Sequence, residues 1–157
     1  MNIIYAKCIL YSYKSLDALM DQIDELVEKK ALASISDLSP CELQCEKILS
    51  LTNAKDNLIN LKIMVERALS KFTDVELDYF DYKYFKKKPK EYYKDFDTTD
   101  RNYFRTQIKL AERFATRIEK AGADDAWFID NCLSTDFFKM VYKNVLEKEN
   151  VKLSKSA

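Results

Sequence analysis

The chain has 157 residues, 47% hydrophobic and 33% charged, and can form one domain, or a small module with a helical bundle, around its own core. One glycine and two prolines are too few for the turns of a sheet protein, so we predict an all-α fold. The net charge is zero. No run of about eighteen apolar residues predicts a membrane span and no leader pattern is present, so we expect a cytoplasmic protein with no membrane partner.

The first half of the chain is predicted to be helical. Residues 2–13 are apolar and fit a helix or a strand, and we favour a helix because no nearby segment offers a strand to pair with. An amphipathic helix is predicted over 15–32 and a loop over 33–38. Residues 39–42 (SPCE) combine an N-cap serine, an N1 proline and an N3 glutamate, and they predict a helix without a breaker over 41–71.

An apolar seam runs along the predicted 41–71 helix. Its members recur at steps of three and four residues over about three heptads, which is typical of a helix that packs on another helix. The partner is either the 15–32 helix, folded back as an antiparallel hairpin, or a second copy of the chain, which makes 41–71 a candidate homodimer interface. The seam consists of Leu51, Ala54, Leu58, Leu61, Val65, Ala68 and Phe72.

Three further helices are predicted between residues 73 and 121. Residues 73–76 (TDVE) form a capping box that opens a helix to about Phe85. The sequence 86–89 (KKKP) ends this helix, and a short helix follows over 89–96. After a turn at 97–99, a long helix is predicted from Asp100 to Ala121, and it stops at Gly122, the only glycine of the chain.

Two helices are predicted in the C-terminal segment. Asp124 or Asp125 caps a short helix that contains Trp127 and Phe128, and Ser134 or Thr135 caps the last one. The residues after Glu149 are polar, so we expect a frayed, flexible tail.

Basic residues are concentrated in one segment. Residues 1–82 hold 9 Lys+Arg against 14 Asp+Glu, residues 83–120 hold 12 against 6, and residues 121–157 hold 5 against 6. A basic segment between acidic flanks is typical of a surface that binds nucleic acid, although a solvated helix face gives the same count.

The order of elements over 73–120 is typical of a helix-turn-helix, in which the last helix enters the major groove of duplex DNA. Basic residues recur every four positions along one side of this helix, from Arg101 to Arg113, and apolar residues recur on another side. We predict Arg101, Asn102 and Arg105 as base-reading residues, because Arg pairs with guanine and Asn with adenine. The predicted phosphate contacts are Lys86, Lys87, Lys88, Lys90, Lys94, Thr99, Lys109 and Arg113.

Four short stretches carry a family resemblance: 77–80 (LDYF) with 84–85 (YF), the aromatic positions of 92–96 (YYKDF), and 102–105 (NYFR). With them, residues 73–120 resemble region 4 of sigma-70-type factors and the sigma-like phage and clostridial regulators that carry region 4 alone. Asp97 stands where the family usually has a turn glycine. The resemblance covers less than a third of the chain, and it implies a helix-turn-helix that binds duplex DNA or docks on RNA polymerase.

Other functions are less well supported. Residues 14–71 contain no Phe, Tyr or Trp and are net acidic, so they offer no stacking platform like that of the promoter-melting region 2 of sigma factors. The chain has no His, no glycine-rich phosphate loop and no recognisable nucleophile–base pair, so we predict no enzyme, no catalytic residue and no cofactor.

The four cysteines are predicted to be buried, reduced thiols. No His is present and no CxxC pair occurs, so we predict no metal site. The cysteines are Cys8, Cys41, Cys45 and Cys132.

The sequence thus predicts a DNA-binding transcriptional regulator that lacks region 2. The alternative is a helical protein–protein adapter with a degenerate helix-turn-helix, including one that docks on RNA polymerase. The predicted segments are a helical hairpin or bundle over 1–71, the region-4-like module over 72–122, a helical extension over 123–149 and the flexible tail over 150–157.

Overall fold

The computed structural model describes residues 1–36, 41–86 and 101–156. Within these ranges the chain is helical and contains no strand, which confirms the predicted all-α fold. The helices are α1 (Ile3–Ser12), α2 (Leu16–Ser36), α3 (Cys41–Leu69), α4 (Asp74–Phe80), α5 (Arg101–Lys120), α6 (Asp125–Phe128) and α7 (Asp136–Ser156). A π-helical turn continues α4 over Asp81–Phe85, and another continues α6 over Ile129–Leu133.

The chain forms two compact units. One consists of Met1–Lys14 together with the residues from Ile63 onward, and the other of Ser15–Lys62. The first unit therefore joins α1 to the C-terminal helices, whereas the predicted segments divide the chain at 71/72.

In the smaller unit, two ion pairs join α2 to α3. The Nζ of Lys55 lies 2.6 Å from the Oδ1 of Asp24, and the Nζ of Lys62 lies 2.7 Å from the Oδ1 of Asp17. The earlier residue of α2, Asp17, pairs with the later residue of α3, Lys62, so the two helices run antiparallel. An antiparallel hairpin is one of the two pairings that the seam allows. The carboxylates are exposed, and such surface pairs contribute only about 0–1 kcal/mol each.

The predicted loop over 33–38 is wrong for residues 33–36, which belong to α2. Residues 31–36 contain no glycine or proline, so nothing in the backbone ends the helix at residue 32. The predicted cap at 39–40 lies outside the described residues, and α3 begins at Cys41.

In the larger unit, α1 is the central helix. It packs against α5 and α7, and Ala6, Ile9 and Leu10 are completely buried. An aromatic core surrounds it: the ring of Phe80 lies 6.1 Å from that of Phe114, and the ring of Phe128 lies 5.7 Å from that of Phe138. The apolar segment 2–13 is therefore a core helix rather than a strand.

Local signals fix several helix ends in this unit. Thr73 accepts a hydrogen bond from the amide of Glu76, and the carboxylate of Glu76 accepts one from the amide of Thr73, which is the predicted capping box. The carboxylate of Asp124 caps α6 by accepting from the amide of Trp127. At the other end of the chain, α7 continues to Ser156, so the residues predicted as a flexible tail are helical as far as that residue.

Gly122 ends α5 as predicted. Its φ is +122°, and its amide donates to the carbonyl of Glu119 while the amide of Ala123 donates to that of Ile118. This is the hydrogen-bond pattern of a Schellman motif. A Cβ at Gly122 would lie 3.2 Å from the Sδ of Met64.

Gly122→Ala is therefore expected to lower the free energy of unfolding by about 1–2 kcal/mol, because alanine is strained at this φ. Urea unfolding measures the loss. The exposed Thr116→Ala on the same helix is the control and should change stability by less than about 0.5 kcal/mol. A Gly122→Ala protein as stable as the parent contradicts the assigned helix end.

The prediction of four buried cysteines is wrong for two of them. Cys8 and Cys132 are buried, and burial raises the pKa of both thiols. Cys41 and Cys45 are exposed in the first turns of α3, where the described residues leave them open to solvent.

In the part of the chain that the structure describes, no group of three or more His, Cys, Asp or Glu side chains is placed to hold a metal ion. None of the described helices could cross a bilayer.

Candidate nucleic-acid interface

Helix α5 has two chemically distinct sides. One side faces the core of the larger unit and buries Leu110, Phe114 and Ile118. The other side is exposed and carries the three predicted base-reading residues in its first two turns, followed by Lys109. The predicted separation of an apolar and a basic side is therefore present in α5.

The predicted site residues fall into two groups. Arg101, Asn102, Arg105, Lys109 and Lys86 are described, and all five are exposed. The others, apart from Arg113, lie outside the described residues, as do the predicted short helix over 89–96 and the turn at 97–99: they are Lys87, Lys88, Lys90, Lys94 and Thr99.

Lys86 follows the π-helical turn with a left-handed backbone, at φ 54° and ψ 31°. Its amide donates to the carbonyl of Asp81 and closes this turn. The side chain of Lys86 is exposed at the end of this turn.

Arg113 makes contacts with other residues of the protein, although its side chain is 46% exposed. Its guanidinium forms an ion pair with Glu76 of α4 and lies 4.9 Å from the ring centroid of Phe72. Burial opposes ionisation of Glu76, but hydrogen bonds from the backbone of Thr73 and from Arg113 hold the pKa of Glu76 below its usual value. Among the described phosphate candidates, Arg113 thus has a structural role that ties α5 to α4.

Two apolar side chains interrupt the exposed side of α5. Phe104 is 52% exposed and Ile108 is 57% exposed, and they alternate with Arg105 and Lys109 along the helix. Their spacing of four residues signals a shared stripe, but the sequence alone does not indicate that this stripe faces outward. The exposed side of α5 is therefore both basic and apolar.

A groove beside α5 contains residues that the sequence does not single out. We call it the Lys83 groove; it has a volume of about 670 Å³ and is lined by Tyr11, Phe104, Lys148 and Lys152 as well as Lys83. These residues come from α1, α5, α7 and the π-helical turn after α4. These residues are distant from one another in the sequence, so no local sequence motif predicts the groove.

No family model, no curated protein and no solved structure matches the chain. The fold defines an all-α protein, and the resemblance to sigma region 4 rests on the residue pattern over 73–120 alone.

Proposed function

We propose that the protein is a DNA-binding transcriptional regulator that reads duplex DNA with α5 and lacks a promoter-melting region. The observation that supports this best is the exposed row of Arg101, Arg105 and Lys109 on a helix whose opposite side is anchored in the core. A reading helix needs this combination, because its position must be fixed while its first turns stay open to the groove.

The two arginines and the lysine have different roles in this proposal. Arg101 and Arg105 lie four residues apart on one side of α5, so both can point into the same stretch of major groove. There the guanidinium group can donate two hydrogen bonds to guanine, and Asn102 can pair with adenine. Lys109 lies a turn further along, where it would neutralise a phosphate together with Lys86. Such a regulator acts in the compartment that holds the DNA, which we expect to be the cytoplasm.

The test is selection of bound fragments from random duplex DNA by the full chain, followed by titration of a selected fragment at several salt concentrations. Affinity should fall steeply with salt, because bound phosphates displace counterions. Arg101→Ala and Arg105→Ala should each weaken binding to the selected site by about 1–3 kcal/mol and relax its sequence preference. Lys109→Ala should weaken all sequences alike and reduce the salt slope by about 1.

Arg67→Ala is the matched control, since Arg67 is an exposed arginine on α3, outside the proposed interface. It should bind the selected DNA like the parent protein. If the parent protein binds no duplex at low salt, or if Arg67→Ala weakens binding as much as Arg105→Ala does, the assignment of α5 as a reading helix fails.

A second candidate function is a helical adapter that docks on another protein, including RNA polymerase. The exposed Phe104 and Ile108 favour it, because protein interfaces use apolar anchors at their centre. An adapter should co-purify with its partner whether or not Arg101 and Arg105 are replaced. Phe104→Asp should abolish that association and leave duplex binding, where it exists, within about threefold, a shift of roughly 0.6 kcal/mol.

A further inference from the structure

The Lys83 groove is a site of small-molecule size that the proposed DNA interface does not use. Its volume of about 670 Å³ lies within the range of about 300–1,000 Å³ that is usual for ligand pockets. All its lining residues belong to the larger unit, and they come from four separate elements. It is therefore a feature of that unit's fold.

The groove has an excess of positive charge. Lys83, Lys148 and Lys152 line it with Glu147. Behind them Glu149 pairs with Lys7 at 2.9 Å and with Lys152 at 3.4 Å. The cluster contains more lysines than glutamates and therefore has a net positive charge. The lysines are Lys7, Lys83, Lys148 and Lys152, and the glutamates are Glu147 and Glu149.

Lys83 is the half-buried lysine of this cluster, and Glu149 only partly offsets the neighbouring positive charges that act on it. Its side chain is half-buried, and it makes no ion pair with any residue that the structure describes; its ammonium group lies 5.2 Å from the ring centroid of Tyr84. Burial first, and then repulsion from Lys152 and Lys7, lowers the pKa of Lys83 to about 8. Partly buried charges are normally paired, so an anion in the groove would supply the missing partner.

Aromatic and polar groups complete the walls. Tyr11 holds the ammonium group of Lys148 at 4.5 Å from its ring centroid, and Phe104 presents an exposed ring 5.6 Å from that of Tyr103. Gln107 also lines the groove; its amide nitrogen donates to Tyr79 and Tyr103, while its buried Oε1 accepts no hydrogen bond from the described residues. Buried polar atoms are nearly always satisfied, so this oxygen is a place for a ligand donor.

We propose that the Lys83 groove binds a phosphorylated small molecule with an aromatic ring, of about the size of a nucleotide. The phosphates would pair with Lys83 and Lys152, since lysine is a common phosphate ligand. The ring would lie against Phe104 and Tyr103, where an aromatic ligand gains stacking as well as burial. Neither Arg101 nor Arg105 lines this groove, so the proposed ligand site is independent of the proposed DNA binding.

The test is calorimetric titration of the full chain with ATP at pH 7 and low salt, with adenosine, tripolyphosphate and a single-stranded thymidine oligonucleotide as comparison probes. We expect ATP to bind with a dissociation constant of roughly 1 mM or tighter. Lys83→Met, which keeps the aliphatic stem and removes the charge, should weaken ATP binding by about 10-fold or more. Phe104→Ala should weaken ATP binding and leave tripolyphosphate unaffected.

Lys139→Met is the matched control, because Lys139 is exposed on α7 and does not line the groove. It and the Arg101→Ala/Arg105→Ala protein should bind ATP like the parent. The proposal is overturned if ATP does not bind, if Lys83→Met binds ATP normally, or if tripolyphosphate binds as tightly as ATP. It is also overturned if the oligonucleotide binds through Lys83 and ATP does not, because the groove would then serve nucleic acid.

The pH dependence gives a second readout. ATP affinity should fall between about pH 7 and pH 9, as Lys83 loses its proton in the free protein, and Lys83→Met should show a flat profile. Burial raises the pKa of Tyr11, Tyr84 and Tyr103, so these tyrosines stay neutral over this range. A parent protein with a flat profile over this range overturns the role of Lys83. The charged groups that act on Lys83 are Lys7 from α1 and Lys148, Glu149 and Lys152 from α7, and Glu147 of α7 lines the same groove.

Discussion

Replacing Phe114 with alanine is expected to lower the free energy of unfolding of the larger unit by about 3–5 kcal/mol. Phe114 is completely buried, and its ring packs against that of Phe80 at the centre of the aromatic core. The loss combines the transfer free energy of the ring with the cavity that it leaves. Because small domains are stable by only about 5–15 kcal/mol, this one change should bring the unit close to unfolding.

Phe104→Ala is the matched control, since it removes the same ring from the exposed side of the same helix. It should change stability by less than about 0.5 kcal/mol. The only tryptophan, Trp127, belongs to the larger unit, so urea unfolding followed by its fluorescence reports on that unit. Equal losses in the two variants would contradict the assigned sides of α5.

The second prediction is a substitution that stabilises the protein. Lys83→Met is expected to raise the free energy of unfolding at pH 7 by up to about 3 kcal/mol, because the folded protein holds a desolvated cation there. The pKa of Lys83 is lowered by burial first and by neighbouring lysines second, from 10.5 to about 8. A residue that costs stability in this way is typical of a functional site. Because Lys83→Met is expected to be more stable than the parent protein, unfolding could not explain a loss of ATP binding in this variant.

The sign of the pH dependence follows from proton binding. Well below pH 8 Lys83 is protonated in both the folded and the unfolded chain, so the full cost is present. Between about pH 8 and pH 10.5 the unfolded chain keeps a proton that the folded protein has lost, so the stability of the parent rises with pH. The advantage of Lys83→Met should therefore shrink over this interval.

Urea unfolding at pH 7 and at about pH 9.5 measures both parts of this prediction. Lys139→Met should behave like the parent at both values, because Lys139 is exposed. If Lys83→Met is destabilising at pH 7, the charge of Lys83 does not destabilise the free protein, and no bound anion is needed to offset it.

The sequence predicts helix ends well where the signal is local. The capping box of Thr73 and Glu76, the cap at Asp124 and the stop at Gly122 are all present, because each depends on groups within about five residues. The two errors of extent, at 33–36 and at the C-terminal tail, arise where the sequence lacks a breaker. A polar composition lowers burial, but it does not by itself end a helix.

Features that depend on distant residues are less accessible to sequence reasoning. The pair between Arg113 and Glu76 spans 37 positions, so the pattern of basic residues does not reveal that Arg113 is engaged. Lys83 shows the same limit. It stands at the start of the basic segment, and its burial becomes apparent only when α1 and α7 are packed against the turn that carries it.

The two proposed binding sites meet on the exposed side of α5. Phe104 and Arg105 are consecutive residues; the first lines the Lys83 groove, and the second lies on the proposed DNA-reading side. If both sites bind their ligands, the two equilibria share one turn of helix, and a ligand that alters this turn changes the other affinity. Thermodynamic reciprocity then requires that DNA change the affinity for the small molecule by the same factor as the small molecule changes the affinity for DNA.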